Sequence, residues 1–273
     1  LPGNLRWGAA ILLLLAAAAL VGPRLAGDPA RLEIDEVLRP PGAAHWLGTD
    51  GMGRDMAARV VHGARVSLAV GLLTAGFTLG IGVPLGALAG YLGGWADAAV
   101  SRLVEAMLCL PTLLLMLALA AASPTWFVDL PDVLRIALVL GLTGWMPAAR
   151  YLRAEFMRLV RSDMVLAARA CGAGHLRLIV RHILPSALAP VLVTAAFAVG
   201  AAIGLEAALS YLGYGVGPPV PTWGGLLAEA QFSGVWWLAV FPGVALFLTV
   251  LACNLVGEGV RDLLDPRVPS HRP

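Results

Sequence analysis

Apolar residues in this chain gather into long runs separated by shorter polar stretches. Six runs are predicted to be transmembrane helices, at about residues 5–21, 66–91, 98–122, 133–149, 189–210 and 235–256. Each nears the roughly 20 residues that cross about 30 Å of hydrocarbon at about 1.5 Å per residue. The first, with Arg6 on its short basic flank, has the make-up of a secretory signal or of an anchor, and it is read as a retained anchor. The runs divide the chain into an anchor with its outer segment (1–65), a five-span core (66–260) carrying a polar loop at 150–188, and a tail (261–273).

Glycine is dense in the second span, where Gly76/Gly80, Gly82/Gly86 and Gly86/Gly90 are spaced four apart, so one helical face lacks side chains. Such a face serves close packing within the chain or against a second membrane subunit. Pro84 and Pro111 fall inside predicted spans and are expected to bend them, since each removes a backbone hydrogen bond.

Charge gives these spans a direction. Seven of the chain's 19 basic residues lie between Arg150 and Pro185, and positive charge collects on the cytoplasmic side of a membrane. Alternation then puts both termini inside, in agreement with Arg261, Arg267 and Arg272 in the tail. Outside fall 26–65, whose arginines are offset by acidic residues, the short turn 123–132, and the uncharged loop 211–228.

Composition confirms the class: 59% of residues are hydrophobic and 13% charged, where soluble domains carry about 25% charged residues. This is an all-α integral membrane protein. All 19 basic residues are arginine, so a GxxxxGK[ST] phosphate loop is impossible and any ATP must be bound by another chain. The arginines cluster as topology signals and line no groove, which argues against nucleic-acid binding. No HExxH or GxSxG occurs, and the five histidines form no ligand cluster, so neither catalytic nor metal-binding residues are assigned. Cys109, Cys171 and Cys253 are far apart and suggest no disulfide framework.

Within the 150–185 loop, Val160, Met164, Ala167 and Cys171 recur at spacings of four, three and four, with Arg158 and Arg169 on the opposite face. That pattern predicts a short amphipathic helix lying along the membrane surface. Gly172 and Gly174 end it, a second helix follows from His175 to about Ile183, and Pro185 marks the turn into the fifth span. Alone, a basic amphipathic helix is a lipid-surface element. The fuller order of parts resembles the permease subunits of ABC importers, whose loop reads EAAxxxGx9IxLP. Matching positions are Ala167, Ala168, Gly172, Leu184 and Pro185, while Leu166 replaces the glutamate and His182 the isoleucine.

Two further stretches narrow the resemblance. His45-Trp-Leu-Gly-Thr-Asp-Gly-Met-Gly-Arg-Asp55, followed by His62-Gly-Ala-Arg-Val-Ser-Leu68, is similar to the segment before the second span of C-type permeases from dipeptide, oligopeptide and nickel importers. The stretch from Glu206 through Tyr211 to Gly224 matches the same subgroup. The resemblance implies a type I importer permease fold with six spans in the bacterial inner membrane. It implies a second permease subunit, one or two cytoplasmic ATPase subunits holding ATP and magnesium, and a periplasmic or lipid-anchored solute-binding protein. The chain itself would need no cofactor. Its cargo would be peptides or related small solutes, nickel or metal chelates among them.

The resemblance also carries over to residues. Met164, Leu166, Ala167, Ala168, Gly172, His182, Leu184 and Pro185 would meet the ATPase, Leu166 as an apolar knob in place of a carboxylate. His45, Gly48, Thr49, Asp50, Gly53, Arg54 and Asp55 form the periplasmic segment, where irregular spacing favours a compact hydrogen-bonded turn over a metal site. Pro218, Pro219 and Pro221 stiffen the outer loop, and Trp223 suits the membrane interface. Glu206 and Glu105 are the ionisable groups deepest in predicted spans. Glu206, with Tyr211, is a candidate for the translocation path, and a structural hydrogen bond is the other reading for Glu206. An ion-coupled secondary transporter is the rival class, although no internal repeat is found.

Overall fold

The computed structural model describes residues 2–122 and 129–264. The turn expected at 123–132 falls largely outside these residues, as do Arg267 and Arg272 of the tail. Among the described residues all regular structure is helical, apart from one isolated bridge between Thr49 and Asp55. The main helices are α1 (Gly3–Leu25), α2 (Met56–Leu92), α3 (Gly94–Leu108), α4 (Thr112–Ala121), α5 (Asp132–Gly144), α6 (Met146–Leu159), α7 (Asp163–Ala170), α8 (Leu184–Tyr211), α9 (Trp223–Ala230) and α10 (Trp236–Leu264).

α1, α2, α8 and α10 are long and apolar enough to cross a membrane unaided, and six spans result if the pairs α3–α4 and α5–α6 count as one each. The third run is no gently bent span. α3 and α4 meet at 88° around Pro111, so the two halves cannot both follow the membrane normal. Proline lacks the N–H that would carry the helix through, and here the ladder stops. The fourth run breaks by 46° at Trp145, and its second half continues ten residues into the stretch read as loop. Pro147 opens that half, where a missing N–H costs nothing. Pro84, by contrast, lies inside α2 without ending it.

α2 begins ten residues before the predicted span. The Asp55 carboxylate accepts the Ala58 N–H at 2.9 Å and so caps the helix start. At 37 residues it is about 55 Å long, nearly twice the hydrocarbon thickness. It is the mast on which the other helices pack. Gly82, Gly86 and Gly90 lie against α6: a Cβ on Gly82 would sit 2.8 Å from the Trp145 carbonyl oxygen, and one on Gly86 2.5 Å from that of Ala149. This glycine face therefore packs within the chain, while Gly76 and Gly80 have open space beside them.

Two apolar cores fix the ends. One joins α1, α2, α8, α9 and α10 around Met56, Ile203, Trp223 and Leu238. The other gathers Leu152, Phe156 and Leu159 of α6, Val165 of α7, and Leu178, Ile183 and Ala187 of the return into α8. That return is continuous: a helical turn at His175–Arg177 passes through a π-helical stretch, Leu178–Ile183, straight into α8. Pro185 sits in the first turn of α8, where it is tolerated, and marks no turn of the chain.

Candidate functional site

The predicted docking segment folds as a helix of eight residues, α7, held at both ends. At its start Ser162 donates from its hydroxyl to the Leu159 carbonyl at 2.6 Å. At its end Gly172 has φ +80°, its N–H bonds the Arg169 carbonyl, and the Ala173 N–H bonds the Ala168 carbonyl, both at 3.0 Å. This is a Schellman stop, and it needs a residue at ease in the left-handed region. The turn that follows is tied to α2, because the Tyr91 hydroxyl and His175 Nδ1 lie 2.7 Å apart.

The side of α7 that meets the chain is not the one expected. Val165, fully buried, inserts among Phe156, Leu159, Leu178 and Ile183, with Ala168 partly buried beside it. Met164, Ala167 and Cys171, read from their spacing as the apolar face, are exposed, and so is Leu166. Met164 is 43% and Leu166 50% exposed. A short helix with an apolar side chain inward and others outward has two apolar sides, and periodicity alone could not choose between them. His182 lies in the π-helical stretch, half-buried, and Leu184 and Pro185 open α8. The structure thus brings Leu166, Ala167 and Gly172 to one exposed ledge and places Leu184 and Pro185 at the root of α8.

The loop's arginines separate into two kinds. Arg153 pairs with Asp97 of α3, its Nη2 2.7 Å from Oδ2, and Arg158 pairs with Glu155. Arg150, Arg161, Arg169, Arg177 and Arg181 are exposed and make no ion pair among the described residues. The ledge therefore carries uncompensated positive charge beside uncovered apolar surface.

At the other end of α2 the candidate residues are bound to one another. Asp50 is buried, accepts the Met52 and Arg54 N–H groups at 2.8 and 2.9 Å, and takes Arg54 Nε at 2.7 Å and Arg59 Nη1 at 2.5 Å on its other oxygen. Arg59, 3% exposed, also grips Glu229 of α9 through both nitrogens, at 2.5 and 2.7 Å. His45 Nδ1 lies 2.8 Å from Asp55. The Thr49 hydroxyl donates to the Glu36 carbonyl, and its own carbonyl accepts from the Trp237 indole at 3.1 Å. Gly48 and Gly53, with φ of +78° and +75°, turn the backbone between these groups. The result is the compact hydrogen-bonded turn, latched to α9. Glu229 went unnoticed in the sequence, where the signal was a lone carboxylate following an uncharged stretch.

Glu206 is buried beneath this latch. Its oxygens accept from Ser210 at 2.7 Å and Ser67 at 3.3 Å, and Ser67 in turn accepts the Trp223 N–H at 3.2 Å. The carboxyl group thereby joins α2, α8 and the start of α9, which supports the reading of Glu206 as a structural hydrogen bond. Tyr211 lies at the end of α8, half-exposed. Trp223 is not at an interface but fully buried, its indole donating to the Val60 carbonyl at 3.0 Å. Glu105 is exposed and pairs with Arg102 at 2.8 Å. Midway along the bundle lies a chamber of about 450 Å³ between α2, α4, α5, α6 and α8, walled by apolar residues and threonines.

A long mast, broken neighbours and a short exposed ledge helix between two spans define a transporter membrane subunit. The sequence profile of binding-protein-dependent transport system inner membrane components matches residues 82–269, and the chain belongs to that family. Among its relatives is the di/tripeptide transport system permease protein DppC of Pseudomonas aeruginosa, 38% identical over an alignment of 272 positions that covers 96% of this chain and 88% of the relative. The oligopeptide transport system permease protein OppC of Mycobacterium tuberculosis is 35% identical over 266 residues, 97% of this chain and 90% of its own. Among solved structures, an inward-facing MetNI methionine ABC transporter matches with a TM-score of 0.60 at 20% identity, over 76% of this chain and 96% of that one. The fold is that of a type I ABC importer permease.

Proposed function

We propose that this chain is the permease subunit of an ATP-driven peptide importer in the bacterial inner membrane, with α7 and the ledge around it as the seat of a cytoplasmic ATPase. One observation carries the reading: α7 is anchored through Val165, with Ala168 partly buried beside it, while Met164 and Leu166 face outward among arginines that make no ion pair among the described residues. Exposed apolar side chains on a rigid, water-facing ledge are covered when a partner docks. The arginines put this side, and both termini, in the cytoplasm.

In this reading the chain has no catalytic residue. ATP and magnesium belong to the ATPase pair, a second permease completes the path, and a solute-binding protein meets the latched outer surface. Two states of the bundle, open inward or outward, bind nucleotide-loaded ATPase and loaded receptor differently. Only that difference lets hydrolysis move the equilibrium. α7 transmits it because Val165 sits in one core with α6 and the root of α8, so displacing the ledge displaces both helices. The peptide cargo is supported by the relatives' named substrates.

The test is reconstitution with the co-encoded permease, ATPases and receptor in proteoliposomes. Peptide uptake should require both ATP and receptor. Uptake by the chain without nucleotide would make it an ion-coupled carrier and overturn the assignment.

A further inference from the structure

Resting on that reading, the mid-bundle chamber specifies how the path treats its cargo. Among the described residues its lining contains no charged residue, histidine, amide or tyrosine side chain; its polar side chains are five threonines, Thr74, Thr78, Thr112, Thr143 and Thr194. Two of these hydroxyls are already used by their own helices. Thr143 donates to the Val139 carbonyl at 2.9 Å, and Thr194 to that of Val191 at 2.8 Å.

Thr74 differs. It is 4% exposed, and its Oγ1 is buried with no hydrogen-bond partner among the described residues. A helical threonine ordinarily returns its hydroxyl to a carbonyl one turn back, and a buried hydroxyl left unpaired costs on the order of 1–3 kcal/mol. Thr74 lies eighteen residues from each end of α2, midway along the mast, and its side chain belongs to the chamber wall. Thr78, one turn on, lines the same wall.

We propose that Thr74, supported by Thr78, is the chain's hydrogen-bonding contact for passing cargo, directed to the amide groups of a peptide backbone. A hydroxyl both donates and accepts, so it can pair with either the N–H or the C=O of an amide. The rest of the wall attracts neither sign of charge. Passage at this point therefore reads the backbone every peptide shares and is indifferent to side-chain charge. Selection among peptides falls to the receptor.

The whole transporter in proteoliposomes, offered a mixed pool of di- and tripeptides read by mass spectrometry, tests this. Thr74→Val has the same shape and leaves no buried hydroxyl unpaired, so it should fold and bind its ATPase as the wild type does. Its uptake should fall about three- to tenfold for all transported peptides alike, whatever their charge. Thr74→Ser should restore most of it, and Thr143→Val, which removes a hydroxyl already satisfied, should be silent. Wild-type uptake by Thr74→Val, or a loss confined to peptides of one charge, overturns the inference and leaves the permease assignment intact. A wild-type complex that imports nothing from the pool overturns the assignment itself, and the inference with it.

Discussion

The two ends of α2 treat polar groups in opposite ways. At the N-terminal end Asp50, Arg54, Arg59, Glu229 and Glu206 all find partners inside the chain. At the C-terminal end five arginines have none among the described residues, and Met164 and Leu166 stand exposed beside them. A surface whose polar groups satisfy one another holds its own shape. One that leaves both charge and apolar area uncovered is completed by another molecule. The difference separates a rigid collar, suited to receiving a partner without yielding, from a ledge suited to being gripped and moved.

Substitutions at the two ends should therefore separate stability from coupling, and they can be ranked by the stability they remove. Arg59→Ala should have the largest effect. It strands the buried Asp50 beside a half-released Glu229, and breaking such a pair costs about 3–5 kcal/mol. The purified protein should show a sharply lower unfolding temperature and poor membrane yield; a normal melt would mean the latch is ornamental. Glu206→Ala comes next, at about 2 kcal/mol, because it leaves the Ser67 and Ser210 hydroxyls buried without their acceptor. Glu206→Gln keeps an acceptor oxygen and should recover most of that loss in the same thermal assay. Should both variants melt like the wild type yet transport poorly, Glu206 would belong to the path after all.

Gly172→Val acts near the C-terminal end of α2 and should cost less, about 1–2 kcal/mol, all of it local backbone strain at φ +80°. Nothing lies within 4 Å of a Cβ there, so no core is disturbed. The stop of α7 shifts instead, and hydrolysis should continue while uptake falls. Coupled turnover at the wild-type ratio would show that the stop does not set the ledge.

What could be read from residue order follows from the range of the forces involved. Span existence, the Gly172 stop and the compact 45–55 turn depend on local composition and short-range hydrogen bonds, and they were legible. The break at Pro111 was legible as a bend but not as a right angle, since its size is set by what α3 and α4 pack against. Pro147 was the unread sign of the Trp145 break. The exposed side of α7 was misread because both its sides are apolar, and only the core around Phe156 and Ile183 selects Val165. Glu206 was left between two roles; the choice depends on Ser67, 139 positions away. Glu229 was missed for the same reason, its partner Arg59 lying 170 positions distant.

Leu166→Asp, the smallest perturbation to the fold, addresses the ledge most directly. Leu166 is half-exposed and absent from the cores, so the unfolding temperature should stay within the equivalent of about 0.5 kcal/mol of wild type. Affinity of the purified permease pair for its ATPase subunit, measured at equal protein levels, should fall at least about tenfold, since a carboxylate would replace an apolar side chain buried on docking. An ATPase that binds the Leu166→Asp permease as tightly as the wild type would place the coupling contact elsewhere and contradict the account.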